Sequence, residues 1–435
     1  MSIEAGRTKR ILTSIAWRLF ALFYIVLPIA SVLMFRESEI SPTLYQHAHV
    51  AAVALIATFL AARRLGWRGF IPCLAACIGA LIYSMDVRLW QPPSEMSLAG
   101  KVAVLTGANS GLGKATSLAL VRMGAHVVMT CRSLQRCEEA IKEANAVGEA
   151  SGGSAKAAIL DLWSLESAYN LTSQLTAEYP TIHYLFNNAG STPNNALTHD
   201  GLEDGFGGMH LAHMALTLGL VPSLRNAGEK TKSPARIVMI SSSAALLAAT
   251  GMLGSEPFHA SFMSGDGEGD LRGEVTRGNG MTVPSLPAYS RAKLCNCFFA
   301  FEINRRFNVR NWPIIAHAVH TGGVHTESSA SGLASIFHAV PGVPYIVSKI
   351  LVPFLWRTPE IGSRTLLFSA LSNEPPSMVK GGQYIDPLCH PALDDDHPKM
   401  KALRVADSKW AERLWNVSLR LLMQSPAQNV VQMAP

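Results

Sequence analysis

Residues 102–113 read Val-Ala-Val-Leu-Thr-Gly-Ala-Asn-Ser-Gly-Leu-Gly. Val102–Leu105 is a short apolar run of the kind that forms a buried parallel strand. After the glycines, Ala115, Leu118, Ala119 and Arg122 recur at helical spacing until Gly124, and Ala125–Arg132 reads as a second strand. Strand, glycine turn, helix and strand within about 30 residues form the frame of a dinucleotide cradle. Gly107 suits the tight turn, Gly111 lets the backbone approach a pyrophosphate, and Gly113 lets the helix pack closely; Asn109, Ser110 and Leu112 complete the loop, and the helix N-terminus faces the phosphates. Arg132 stands where an NAD enzyme would place an acid for the ribose 2′-hydroxyl. A cation there suits a 2′-phosphate, so NADP(H) is expected, with NAD(H) as the alternative and a solvated loop arginine as the plainer reading.

Composition sets the wider bounds. Of 435 residues 49% are hydrophobic and only 16% charged, against roughly 25% in an average domain. Residues 1–90 hold nine basic and four acidic groups, leaving 28 and 27 for the rest, so the basic excess is N-terminal. It is interleaved with apolar runs, which suits membrane flanks and argues against a nucleic-acid-binding face. The apolar content excludes disorder. Seven scattered cysteines without paired spacing suggest neither a disulfide framework nor a zinc site. Cys389-His390 and Asp394–His397 lack a ligand pattern, and no metal is expected.

Three apolar stretches, Leu19–Phe35, His47–Ala62 and Gly69–Met85, each approach the length that crosses a bilayer. Arg18 and Arg36 flank the first, with Trp17 and Tyr24 as interfacial anchors. A secretory signal would show small residues at a cleavage site, and Leu-Met-Phe-Arg follows instead; a mitochondrial presequence is the stronger rival, since residues 1–18 carry four basic groups and one acidic. The positive-inside rule puts the N-terminus and the Arg63–Arg68 loop on the cytoplasmic side. The third stretch then decides on which side the large domain lies. The expectation is an endoplasmic-reticulum membrane protein with a cytosol-facing catalytic domain, with a mitochondrial membrane as the alternative. Asn170-Leu-Thr172 and Asn416-Val-Ser418 are glycosylation sequons that test it.

Further motifs follow in order: Ile159-Leu-Asp161-Leu162, Leu185-Phe-Asn-Asn188-Ala189-Gly190, Arg236-Ile-Val-Met-Ile-Ser-Ser242, and Tyr289-Ser-Arg-Ala-Lys293. With the spacing Thr-Gly-x-x-x-Gly-x-Gly, they resemble the short-chain dehydrogenase/reductase family over about residues 97–420. Cys131-Arg132-Ser133, Ser290–Asn296 and Arg357-Thr-Pro-Glu360 are most similar to its retinol dehydrogenase and WW-domain oxidoreductase branch. The resemblance implies an α/β fold, a Rossmann-type doubly wound parallel sheet with helices on both faces; the apolar stretches before it add an N-terminal transmembrane helical region. Its domains would be a membrane anchor over 1–95, the sheet domain over 96–420 with an insertion at 251–287, and a tail over 421–435. It further implies that Asp161 and Leu162 meet the adenine, and that Asn188, Ala189, Gly190, Gly322 and Thr326 line the cofactor. Lys293 would hold the nicotinamide ribose as well as support catalysis.

The chemistry can be argued from the residues. Hydride transfer to a carbonyl leaves an alkoxide that needs a proton. A tyrosine, with an ordinary pKa near 10, is a suitable acid only if a cation stabilises its phenolate. Lys293 lies four residues after Tyr289, on the same helical face. Ser242 is placed to hydrogen-bond the substrate oxygen. Taken singly, each has a plain structural reading: a buried aromatic, a solvated lysine, a strand-end cap.

Three departures from the branch pattern stand out. Phe206-Gly-Gly-Met209-His210-Leu-Ala-His213 carries methionine where the branch has its relay asparagine, and His210 is a candidate substitute. Thr321-Gly322 replaces the usual Pro-Gly, which leaves the loop's rigidity in question. The glycine- and acid-rich 251–287 reads as a mobile loop, and Val340–Trp356 as an apolar cover for the cleft, a membrane contact or a core helix. The expected function is a membrane-anchored NADP(H)-dependent oxidoreductase interconverting a lipophilic alcohol and its carbonyl form. The rival is a catalytically weak NADP(H)-binding scaffold or sensor. Expected partners are a lipophilic small molecule and the lipid bilayer, with a homodimer as a further candidate and no nucleic acid.

Overall fold

The computed structural model describes residues 90–193, 196–249, 285–326, 356–372, 383–387, 389, 403 and 407–435. The chain divides into two units, Met1–Arg88 and Leu89–Pro435, and the described residues all belong to the second. The three apolar stretches and the 251–284 part of the insertion lie outside them. Among the described residues no helix is long and apolar enough to cross a membrane.

The expected strand–turn–helix–strand is present as β1 (Val102–Thr106), α1 (Gly111–Arg122) and β2 (His126–Cys131). Gly124 closes α1 with φ +93°, the left-handed conformation that commonly ends a helix and favours glycine. The chain continues through α2 (Leu134–Gly148), β3 (Ser154–Ile159), α3 (Leu165–Glu178) and β4 (Tyr184–Asn187). A helical turn at Asp204–Phe206 and a π-helical segment at Gly207–Leu211 lead into α4 (Ala212–Thr231). Then come β5 (Ala235–Ile240), α5 (Ala244–Ala249), α6 (Ser285–Val309), β6 (Ile314–Val319), α7 (Pro359–Leu371), β7 (Tyr384–Ile385) and α8 (Asp407–Met423).

The strands form one sheet in the order β3-β2-β1-β4-β5-β6-β7, and every pairing is parallel. Both faces are covered, as a parallel sheet requires. Val104 of β1 faces a core shared with α3, α4, α6 and α8, while Ala103 and Leu105 face a core shared with α1, α2 and α7. The strand order reverses between β1 and β4, so a crevice opens beyond their C-terminal ends, where doubly wound sheets bind ligands.

Two features of the sheet domain differ from expectation. Residues 421–435 are not a separate tail: α8 runs through residue 420 to Met423, and Ala427 and Val430 are buried in the core. Cys131 and Cys137 form a disulfide, although their spacing resembles no paired-cysteine pattern. The end of β2 and the first turn of α2 bring the two sulfurs together through the fold, which local spacing does not reveal.

Candidate active site

A cleft of about 770 Å³ lies at the C-terminal edge of the sheet. It is lined by Gly107, Asn109, Ser110, Gly111, Leu112 and Gly113 from the first turn, Arg132 after β2, Leu162 after β3, and Asn188, Ala189 and Gly190 after β4. Ser242, Tyr289, Lys293, Gly322 and Thr326 complete it. The glycine turn is crowded. A Cβ on Gly113 would lie 2.2 Å from the carbonyl oxygen of Gly107, and one on Gly111 would lie 2.8 Å from Cγ2 of Thr326. The turn therefore closes on itself at Gly113, and at Gly111 it meets the loop after β6.

Asp161 is the one expected site residue that does not line the cleft. Its Oδ1 accepts from the Trp163 backbone N–H at 3.0 Å, and its Oδ2 lies 3.5 Å from His199 Nε2. It shapes the turn after β3 at the cleft's border. The cleft also contains Arg136 and Trp163, which the sequence reading did not single out, and Trp356, the last residue of the apolar stretch read as a cover for the cleft, a membrane contact or a core helix; residues 340–355 of that stretch lie outside the described residues. Arg136 lies in the first turn of α2, four residues after Arg132 at the end of β2.

Tyr289 and Lys293 lie one turn apart on α6, beneath the end of β5. The Tyr289 hydroxyl is hydrogen-bonded to Ser242, which partly offsets the rise in its pKa caused by burial. Lys293 Nζ lies 5.5 Å from the Tyr289 ring centroid and donates to the Ile240 carbonyl at 3.1 Å. Burial lowers the Lys293 pKa to about 8. Asn296 Nδ2 donates to the same Ile240 carbonyl at 3.0 Å, and Ser241 Oγ donates to the Lys293 carbonyl at 2.9 Å. These bonds fasten α6 to the end of β5, two residues before Ser242, and so bring the three side chains together.

The segment with Met209 departs from regular α-helix. Its π-helical turn over Gly207–Leu211 is of a type often found at functional sites. Met209 lines the cleft. A Cβ on Gly190 would lie 3.2 Å from Met209 Sδ and 3.3 Å from Lys293 Nζ, so both side chains close on that glycine. His210 is not a substitute for the relay asparagine. It is fully buried away from the cleft, with Nε2 3.0 Å from Ser418 Oγ, and burial lowers its pKa to about 3.

His213 makes the contacts that organise this region. Its Nδ1 lies 3.0 Å from the Met209 carbonyl and its Nε2 2.9 Å from Thr106 Oγ1. A carbonyl only accepts, which assigns the proton to Nδ1 and leaves Nε2 accepting from Thr106. Burial lowers the His213 pKa to about 4, in keeping with this neutral form. Thr106 Oγ1 in turn accepts from the backbone N–H groups of Asn188 and Ala189, each at 2.9 Å. One chain of bonds thus ties the π-helical turn, the end of β1 and the Asn188–Gly190 loop.

The loop at Thr321-Gly322 is held without a proline. Arg357 Nη1 donates to the Pro387 carbonyl at 2.6 Å and to the Thr321 carbonyl at 3.4 Å. The Arg357 backbone pairs with both sides of Val324, accepting from His325 N–H at 2.8 Å and donating to the Gly323 carbonyl at 2.9 Å. The arginine of the Arg357-Thr-Pro-Glu360 motif therefore supplies the stiffness that Thr321 does not.

Comparison with known proteins agrees with this architecture. A family model described as short chain dehydrogenase matches residues 101–254. The chain is 31% identical over 331 residues to retinol dehydrogenase 12 of Mus musculus, covering 76% of this chain and 88% of the relative. It is 28% identical over 328 residues to the WW domain-containing oxidoreductase of Gallus gallus, covering 75% and 69%. Among solved structures, an uncharacterised protein from Mycobacterium paratuberculosis superposes with a TM-score of 0.53 at 26% identity, over 77% of this chain and 97% of that one. The ordered motifs, the parallel sheet and these relatives lead to one conclusion: the chain belongs to the short-chain dehydrogenase/reductase family, in its retinol dehydrogenase-like branch.

Proposed function

We propose that the protein is a membrane-anchored, NADP(H)-dependent oxidoreductase that interconverts a lipophilic alcohol and its aldehyde or ketone, of the retinoid, steroid, polyprenol or fatty-aldehyde class. The observation that carries this reading is the convergence of Ser242, Tyr289 and Lys293 in the same cleft as the glycine turn. The residues present fit a phosphorylated dinucleotide. The glycine turn lines the cleft, and Arg132 and Arg136, which line it too, pair with no carboxylate among the described residues.

A bound nicotinamide cofactor supplies or accepts the hydride. The chain's own residues handle the proton. In the reductive direction Ser242 donates a hydrogen bond to the substrate oxygen, and Tyr289 passes its phenolic proton to that oxygen as the alkoxide forms. The Lys293 ammonium steadies the resulting phenolate at short range in a buried site. Oxidation runs the same steps in reverse. The apolar stretches before residue 90 suit an anchor in the endoplasmic-reticulum membrane with the catalytic domain facing the cytosol; a mitochondrial membrane is the alternative. Tyr289→Phe is expected to lower turnover about 10²- to 10⁴-fold, the usual contribution of a positioned acid, while NADPH binding measured by calorimetry is kept. Turnover within a few-fold of the parent would remove the acid assignment.

Met209 favours a second reading, a cofactor-binding scaffold or sensor with little chemistry. No amide is present at that position, and the Met209 carbonyl is engaged by His213. Cofactor oxidation by the detergent-solubilised full chain, with a panel of retinoid, steroid, polyprenal and fatty-aldehyde substrates, separates the two. Saturable NADPH binding without turnover on any of them would favour the scaffold.

A further inference from the structure

The adenosine end of the cleft holds two arginines and one tryptophan. Arg132 leaves the end of β2, and Arg136 lies in the first turn of α2. Both line the cleft, and both are carried on the loop that the Cys131–Cys137 disulfide closes. Both are exposed. Among the described residues neither forms an ion pair, so neither cation is neutralised by a carboxylate of its own. An exposed arginine has several rotatable bonds, and ordering it on a ligand costs conformational entropy.

Among the described residues Arg132 lies over the ring of Trp163, whose centroid is 5.8 Å from the guanidinium carbon. Trp163 is itself held firmly. Its backbone N–H donates to Asp161 Oδ1 at 3.0 Å and its carbonyl accepts from the His199 N–H at 2.8 Å. Its indole edge lies over Gly208, where a Cβ would sit 3.3 Å from Cδ1 and 3.6 Å from Nε1. The side chain occupies space that only a small residue in the π-helical turn leaves open. The ring is therefore a partly buried platform, backed by Gly208, beneath an exposed cation. Guanidinium groups stack on aromatic faces and remain free to hydrogen-bond a phosphate through their edges.

Building on the NADP(H) reading above, we infer that Trp163 is the positioning residue for cofactor selectivity. Its ring holds Arg132 in place for the 2′-phosphate, and Arg136 supplies the second cation of the same anion site. Trp163 acts on the phosphate through Arg132, so its removal affects NADPH and leaves NADH nearly unchanged. A tryptophan that stacked directly on the adenine would affect both cofactors equally.

The test is calorimetric binding of NADPH and NADH to the full chain in detergent. Trp163→Ala is expected to weaken NADPH roughly three- to tenfold, the range of a modest cation–π contact, and to change NADH by less than about twofold. Trp163→Phe, which keeps a π face, should retain most of the preference. Trp163→Leu, which keeps apolar bulk over Gly208 without a π face, should lose it as Trp163→Ala does, and it serves if the alanine variant folds poorly. In an Arg132→Ala background, Trp163→Leu should cause no further change in the NADPH-to-NADH ratio. Arg136→Ala should weaken NADPH selectively. If the parent binds both cofactors equally, the 2′-phosphate assignment fails and takes this inference with it. If the parent prefers NADPH and Trp163→Leu does too, or if that variant loses both cofactors alike, the positioning role alone is overturned.

Discussion

Lys293 is the residue on which pH should act. Its ordinary pKa lies well above neutrality, and burial brings it down to about 8. Below that value the side chain is an ammonium that can support a Tyr289 phenolate; above it the side chain is a neutral amine that cannot. Carbonyl reduction also needs a protonated Tyr289, whose pKa burial raises, so the lysine loses its charge first as the pH climbs. Single-turnover reduction by bound NADPH should therefore fall as pH rises through about 8. A rate flat to pH 10 would show that the ammonium is not what the step requires. The Tyr289 and Lys293 pair was legible in the sequence because four residues on a helix share a face. The role of Arg357 in stiffening the Thr321 loop was not, since its carbonyl partners Thr321 and Pro387 lie 36 and 30 residues away.

At the scale of elements, the glycine turn and the π-helical turn were unequally readable. The turn announces itself because strand, glycines and helix are contiguous, and its geometry makes a firm demand. A Cβ at Gly113 would meet backbone at 2.2 Å and Asn188 Nδ2 at 2.7 Å, and neither can move freely, because Nδ2 donates to the Thr106 carbonyl at 2.8 Å. Gly113→Ala should cost about 1–3 kcal/mol, as overpacking usually does, and should widen the cradle. Calorimetry should show a melting temperature lower by several degrees and weaker binding of NADPH and NADH alike. An unchanged melting temperature would mean that the turn relaxes more cheaply than its contacts suggest. The π-helical turn gave no such notice. Phe206–His213 stands out in the sequence only for Met209 at the relay position, and nothing local marks the extra residue of the turn, which His213 ties to the Met209 carbonyl and to Thr106 through opposite nitrogens of its ring. Tertiary bonds select that conformation, so no local pattern encodes it.

For the whole molecule, two observations bear on the compartment of the catalytic domain. Both sequons fall on helices with the asparagine exposed, Asn170 on α3 and Asn416 on α8, so neither is shielded by the fold. Their hydroxyl residues have packing reasons of their own. Thr172 is buried against Gly219, and Ser418 is fully buried against His210. Core packing thus accounts for Thr172 and Ser418 without any glycan, which suits a domain that never enters the lumen. The disulfide points the other way, because such bonds persist in oxidising compartments and open under cytosolic reduction. A cytosol-facing domain should show no change in mobility on enzymatic deglycosylation, and Cys131 and Cys137 should both alkylate when cells are lysed directly into denaturant and thiol reagent. A luminal domain should lose mass on deglycosylation at one or both sequons and keep the pair protected until a reductant is added. The two readouts are independent, one reporting exposure to glycan transfer and the other the redox poise around the cofactor loop. A glycan shift together with protected cysteines would place the domain in the lumen and overturn the cytosol-facing proposal.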